Sequence, residues 1–326
     1  MGVGRSERRT GRSLLKVGVA VALLFLVVAW AGPRTILRVL GSVDPLWLLV
    51  LGSAALLNQV FLAFKWYLLL RSRGVAIRLG AAVRLVFVGY FIGIFTPAAL
   101  GGDVYRVAEL SSANNVPAVA STLVLERAVG MFVLAMLSML ALPFWPLLLE
   151  DVPRAATLAI ILGAVLIVSV SLASLHPGFV KAVVRRLPFG SRALDSRRLQ
   201  EFYAAYAGSQ ANRPALIVFA GLTTVHAIAR ILIVWLGTAA LGFQVSVGLF
   251  LVVMPAVQMF TRLPLYAFDA LGVMEGLLAL VMIQAGYSAG DGVALSLLMR
   301  FVYYVVFVPP AALMLARGSR GGALSR

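Results

Sequence analysis

Apolar windows of spanning or near-spanning length fill most of this chain, at about 14–31, 46–70, 117–142, 155–175, 214–241, 248–267, 271–287 and 292–316. A bilayer core needs roughly 20 apolar residues of helix to cross it. Within lipid only helices and closed barrels satisfy every backbone polar group. The short alternating segments of an outer-membrane barrel are absent. The chain is 62% hydrophobic and 12% charged, against about 25% charged in soluble domains. The expected class is therefore an all-α polytopic membrane protein with about 6–8 transmembrane helices, forming one transmembrane domain over 1–326.

One further window, 85–100, is short and broken, and it leads into Phe95 to Leu110, FTPAALGGDVYRVAEL. Pro97, Gly101 and Gly102 interrupt a helix there, and Asp103, Arg106 and Glu109 cannot face hydrocarbon cheaply. Broken backbone at membrane depth is tolerated where protein or a watery cavity satisfies it. Ionisable groups at that depth are functional candidates. A second interruption, Arg262 to Gly276, RLPLYAFDALGVMEG, repeats the theme with Pro264, Asp269, Gly272 and Glu275. An arginine inside an apolar run follows each break, Arg127 after Pro97 and Arg300 after Pro264. Paired interrupted segments in two halves point to a transporter site at a repeat interface.

The net charge of +16 is almost wholly arginine, with Lys16, Lys65 and Lys181 the only lysines. These charges sit mainly in loops, so positive-inside orientation explains them better than nucleic acid does. The basic arm 1–13, the 71–84 loop and the 176–213 loop read cytoplasmic; the 143–154 loop, with Glu150 and Asp151, reads as outside. An odd number of crossings must separate 71–84 from 143–154. Because 117–142 spans, 85–116 is expected to enter from the cytoplasm and return as a re-entrant hairpin. If 248–287 does the same from outside, the two form an inverted pair. Both termini are then cytoplasmic, with the tail 317–326 disordered. Ala29-Trp30-Ala31 has the small-x-small form of a cleavage site, but a retained first transmembrane helix is the favoured reading. Arg197 to Gln210 reads as an amphipathic surface helix with Leu199, Phe202, Tyr203 and Tyr206 toward lipid.

Several roles follow for the polar set. Asp103 and Arg106 share a helix face, either neutralising each other or leaving Arg106 for a phosphate, which guanidinium matches bidentately. Gly101 and Gly102 would let backbone N–H groups approach that phosphate. Glu126 and Arg127 point about 100° apart on a helix, so Glu126 is expected toward Arg106 and Arg127 toward Asp103 or substrate. The alternative for both is snorkelling at the interface. Arg300 is expected to pair with Glu275 or Asp269, although Glu275 also suits a helix first turn. His226 and Arg230 read as a packing or pore-lining pair. Lys65 with Trp66 and Tyr67, together with Trp30, Trp47 and Tyr303–Tyr304, read as interfacial anchors. There is no cysteine, and the only histidines are His176 and His226, so no metal or other cofactor is expected. With no P-loop, transport would be passive or coupled to an ion gradient.

FTPAALGGDVYRV, the downstream LERAVG, LPLYAFDALGVMEGLLALV and the late MRFVYY resemble the flippase-like transmembrane family. This is the transmembrane region of lysylphosphatidylglycerol synthases and its stand-alone relatives. The resemblance covers roughly residues 10–316. Where the family carries PGGxGGD this chain has Pro97-Ala98-Ala99-Leu100-Gly101-Gly102-Asp103. Where the family reads GGLGVREG it has Asp269 for a glycine and Met274 for the arginine. The resemblance implies translocation of an anionic phospholipid or polyprenyl-phosphate-linked lipid across the inner (cytoplasmic) membrane. Arg106, Arg127 and Arg300 would hold the phosphate, and Asp103, Glu126 and Glu275 would balance those charges. A separate lipid-modifying enzyme is an expected partner. The synthase domain that follows this region in fused enzymes is not in this sequence, so enzyme activity is not expected. Two rival readings are a glycosyltransferase using a polyprenyl-phosphate sugar donor, with Asp44 as its acid, and a non-transporting scaffold.

Overall fold

The computed structural model describes residues 43–96, 99–110, 116–145, 197–211, 213–262 and 272–318, together with Gly41 and scattered positions between 162 and 186. The expected segment 14–31 with its arm, the 143–154 loop beyond Trp145, and Pro97, Pro264 and Asp269 lie outside the described residues. The 155–175 segment is described only at scattered helical positions.

The described residues form nine α-helices. The first run comprises α1 (Pro45–Arg71), α2 (Leu79–Ile94), α3 (Leu100–Leu110) and α4 (Val116–Ala141). Then come α5 (Arg197–Ala211), α6 (Arg213–Ala240), α7 (Val247–Thr261), α8 (Val273–Gln284) and α9 (Ala289–Gly318). Four of these, α1, α4, α6 and α9, are long and apolar enough to cross a membrane. The chain is an all-α polytopic membrane protein.

Local chemistry sets the boundaries. Asp44 caps α1 by accepting from the Leu46 N–H at 2.8 Å, with Pro45 at the first helical position, where its missing N–H costs nothing. That contact employs the one acid the glycosyltransferase reading needed. Gly74 and Gly242, with φ of 72° and 79°, supply the left-handed residue that ends α1 and α6. Five residues after each glycine, α2 and α7 begin. The α2 helix starts at Leu79, earlier than the expected 85, because Arg84 can sit on the helix once paired: its Nη2 lies 2.8 Å from Glu109 Oε1.

The expected hairpin is present, with its arms spanning 79–110 instead of 85–116. Its arms are antiparallel, since Arg84 meets Glu109, Gly89 meets Gly102 and Gly93 meets Ala99. A Cβ on Gly102 would overlap the Gly89 carbonyl oxygen, so the glycine permits this approach. The second break has the same form. Gln244, before α7, donates its N–H to the Tyr287 hydroxyl, after α8, at 2.9 Å. The helix expected over 248–267 stops at Thr261, and Leu263 to Leu271 lie outside the described residues. At 16, 11, 15 and 12 residues, none of these arms reaches the roughly 30 Å of a bilayer core at 1.5 Å per residue.

The two runs therefore share one pattern: long, short, break, short, long. Exchanging them maps the packing onto itself. Helix α2 lies on α9 as α7 lies on α4; α1 lies on α9 as α6 lies on α4; and α1 packs on α6. Lys65 reaches Thr223 while Phe61 stacks on His226, so α1 and α6 run antiparallel and the repeat is inverted. Helix α5 stands outside this exchange. It packs on α4 with Tyr206 fully buried beside Leu125, Val129 and Phe219. Its aromatic face thus meets protein, not lipid as the sequence suggested; amphipathicity records an apolar neighbour without saying which kind.

Candidate functional site

Both halves contribute walls to a cavity of about 350 Å³, a volume suited to a small head group. Helix α3 brings Asp103 and Arg106 to it, and α4 brings Glu126 and Arg127. The adjacent pair on α4 diverges as the helical angle requires. Arg127 Nε reaches Asp103 Oδ2 at 2.7 Å, and Glu126 Oε2 lies 3.4 Å from Arg106 Nη1. Arg106 Nη2 also lies 3.4 Å from Asp103 Oδ1, so the expected self-pairing and the expected cross-pairing coexist.

The chain of charges extends to a residue whose role the sequence disguised. Lys65, flanked by aromatics, resembles an interfacial anchor, yet only 3% of its side chain is exposed. Its Nζ sits 3.8 Å from Glu126 Oε1, donates to Thr223 Oγ1 at 3.3 Å and lies 5.2 Å over the Phe219 ring. The order is thus Arg127, Asp103, Arg106, Glu126, Lys65, alternating in sign. Arg106 stacks 5.3 Å from Trp66, which donates to Thr122. The contacts at 3.4 and 3.8 Å are looser than charge-assisted hydrogen bonds of about 2.7–2.9 Å. They are the ones an incoming anion can displace.

The second half supplies Arg300, 6% exposed, whose Nη2 lies 2.7 Å from Glu275 Oε1. The other Glu275 oxygen accepts the Gly272 N–H at 2.7 Å, so Glu275 both caps α8 and holds Arg300. Arg300 also donates to Tyr304 Oη at 3.2 Å, and Tyr304 is buried, correcting its assignment as an anchor. Gly272, with φ 80°, opens α8 as a break residue should.

The glycines of the first motif act structurally. The Gly101 N–H donates to Thr96 Oγ1 at 3.0 Å, and Gly102 packs on Gly89. The expected backbone cradle for phosphate is therefore not what they form.

Arg230, Arg262, His226, Asn58 and Gln59 also line the cavity; the sequence reads His226 and Arg230 as a packing or pore-lining pair and Arg262 as part of the second polar set, and leaves Asn58 and Gln59 unassigned. Asn58 and Lys65 are seven apart on α1, with Leu62 between them, a spacing that places all three on one face; this was the available signal. Among the described residues, no three His, Asp or Glu side chains gather as a metal set.

The cavity wall thus carries Lys65, Arg106, Arg127, Arg230, Arg262 and Arg300 against Asp103 and Glu126. Six cations face two carboxylates there, inside apolar helices, so the cavity wall carries an excess of positive charge. No curated protein and no solved structure matches the chain. A family match does exist: the lysylphosphatidylglycerol synthase TM region matches over residues 13–311. The chain belongs to that family, and is therefore a membrane protein related to lipid synthesis and flipping.

Proposed function

We propose that this protein moves an anionic phospholipid, or a polyprenyl-phosphate-linked lipid, between the leaflets of the cytoplasmic membrane. The observation carrying this reading is the cavity with six cationic side chains and two carboxylates at the junction of an inverted repeat. Charges at such depth are costly unless used, and transporter sites lie at repeat interfaces between broken helices. Positive-inside orientation puts the feet of the α2–α3 hairpin in the cytoplasm and those of α7–α8 outside, with both termini cytoplasmic. The lipid phosphate competes with Asp103 and Glu126 for Arg106. Partner exchange along the Arg127 to Lys65 chain then lets the cavity change its open side.

Reconstitution tests this. Proteoliposomes with head-group-labelled anionic lipids should exchange label between leaflets faster than empty liposomes. Arg106→Ala and Glu126→Ala should each slow exchange by about tenfold or more, because each strands a partly buried charge. Exchange no faster than in empty liposomes across several anionic lipids would defeat the proposal.

A further inference from the structure

We infer that Arg230 and Arg262 add, beside Arg106, a seat for the further negative charge of the phosphate, and that this seat selects a lipid phosphomonoester or diphosphate over a phosphodiester. The inference rests on reading the cavity as a lipid head-group site. Sorting its cations by partner isolates the pair. Arg106 and Arg127 face Asp103 and Glu126, Lys65 faces Glu126, and Arg300 faces Glu275. Arg230, on α6, and Arg262, closing α7, have no ion pair within 4 Å among the described residues; Arg262 lies within electrostatic reach of Arg230 and Arg127, with Glu126 the carboxylate nearest in effect. Two guanidiniums from different helices repel unless an anion sits between them.

The overall charge gives the size of that anion. Setting Asp103, Glu126 and Glu275 against the six cations leaves three positive charges among the described residues. Uncompensated buried charge is expensive, so a ligand with about two or more negative charges offsets that excess better than a singly charged one. A phosphomonoester carries about −1.5 to −2 at pH 7, and a diphosphate carries more. A phosphodiester carries a single charge and offsets the least.

The neutral groups agree. Asn58 and Gln59 are at least nine-tenths buried, and Asn58 Oδ1 and Gln59 Nε2 have no hydrogen-bond partner. Both residues line the same cavity and leave one donor and one acceptor for a ligand rich in oxygen. The seat also belongs to one half only. In the register set by Gly74 with Gly242 and Leu79 with Val247, the first half has Leu62 and Ile94 where the second has Arg230 and Arg262. The phosphate is therefore held off the symmetry axis, toward α6 and α7.

The test uses the purified full chain in detergent with three probes: dioctanoyl phosphatidate, dioctanoyl phosphatidylglycerol and inorganic phosphate. Thermophoresis should show phosphatidate binding about tenfold or more tightly than phosphatidylglycerol. Arg230→Gln and Arg262→Gln should each remove most of that ratio while changing phosphatidylglycerol affinity less than about threefold, and Arg262→Lys should keep part of it. Equal affinity of the unaltered protein for the two lipids overturns the inference without any variant. A ratio that survives the double Arg230→Gln/Arg262→Gln change overturns the seat. If neither lipid binds, the lipid reading falls with it. If inorganic phosphate binds as tightly as phosphatidate and suffers the same losses, the seat stands and the lipid reading fails alone.

Discussion

Ala99 holds a backbone conformation that suits a different residue. Its φ of 56° puts an L side chain in the left-handed region, at a cost of roughly 1–2 kcal/mol, and it does so inside the first break. Glycine would adopt the same conformation without that cost. Ala99→Gly should therefore stabilise the fold by roughly 0.5–1 kcal/mol once the extra freedom of glycine in the unfolded chain is subtracted. Thermal unfolding in detergent should show the midpoint rising by about 2 °C, and a fall would mean that the Ala99 methyl against Gly93 matters more than the strain. At this scale the sequence is readable where chemistry is local and misleading where it is not. The pairing of Glu126 with Arg106 and of Arg127 with Asp103 follows from the helical angle alone. The burial of Lys65 does not, because Trp66 and Tyr67 beside it make the same pattern whether the partner is a membrane interface or Thr122 and Thr223.

Among the elements, the α2–α3 hairpin depends on contact between two glycines rather than on apolar packing alone. Gly102→Ala would drive a methyl into the Gly89 carbonyl, and backbone cannot yield as a flexible side chain does. Overpacking of this kind costs about 1–3 kcal/mol. The variant should lower the unfolding midpoint and slow lipid exchange together, since Asp103 is the next residue. Gly80→Ala, on the other arm of the hairpin, α2, with nothing within 4 Å of the added methyl, is the control and should leave both unchanged. The break itself was legible from Pro97 and the glycine pair. The role of those glycines was not: a glycine admits close approach by any backbone, and the sequence does not distinguish a phosphate from a neighbouring helix. The same blindness turned the aromatic face of α5 toward lipid, when Tyr206 is buried against α4 and Phe219.

For the molecule as a whole, sidedness decides whether the cavity can serve both leaflets. An inverted repeat whose hairpins enter from opposite faces gives each leaflet an equivalent route to one chamber, and exchanging the two arrangements exchanges the open side. Loop arginines give the expected orientation, and the feet of each hairpin meet, Arg84 with Glu109 and Gln244 with Tyr287. The repeat was only hinted at in sequence, because apolar positions facing lipid accept many residues and erase similarity. It appears once helix lengths and packing partners are compared. The chain has no cysteine, so single cysteines report cleanly. Ser72→Cys and Ser112→Cys should react with a membrane-impermeant maleimide only from the cytoplasmic side. Phe144→Cys, Gln244→Cys and Ser288→Cys should react only from the outside. If Ser112→Cys labels from the face opposite Ser72→Cys, the first hairpin spans the bilayer, the two halves no longer enter from opposite faces, and alternating access through this cavity is lost as a mechanism.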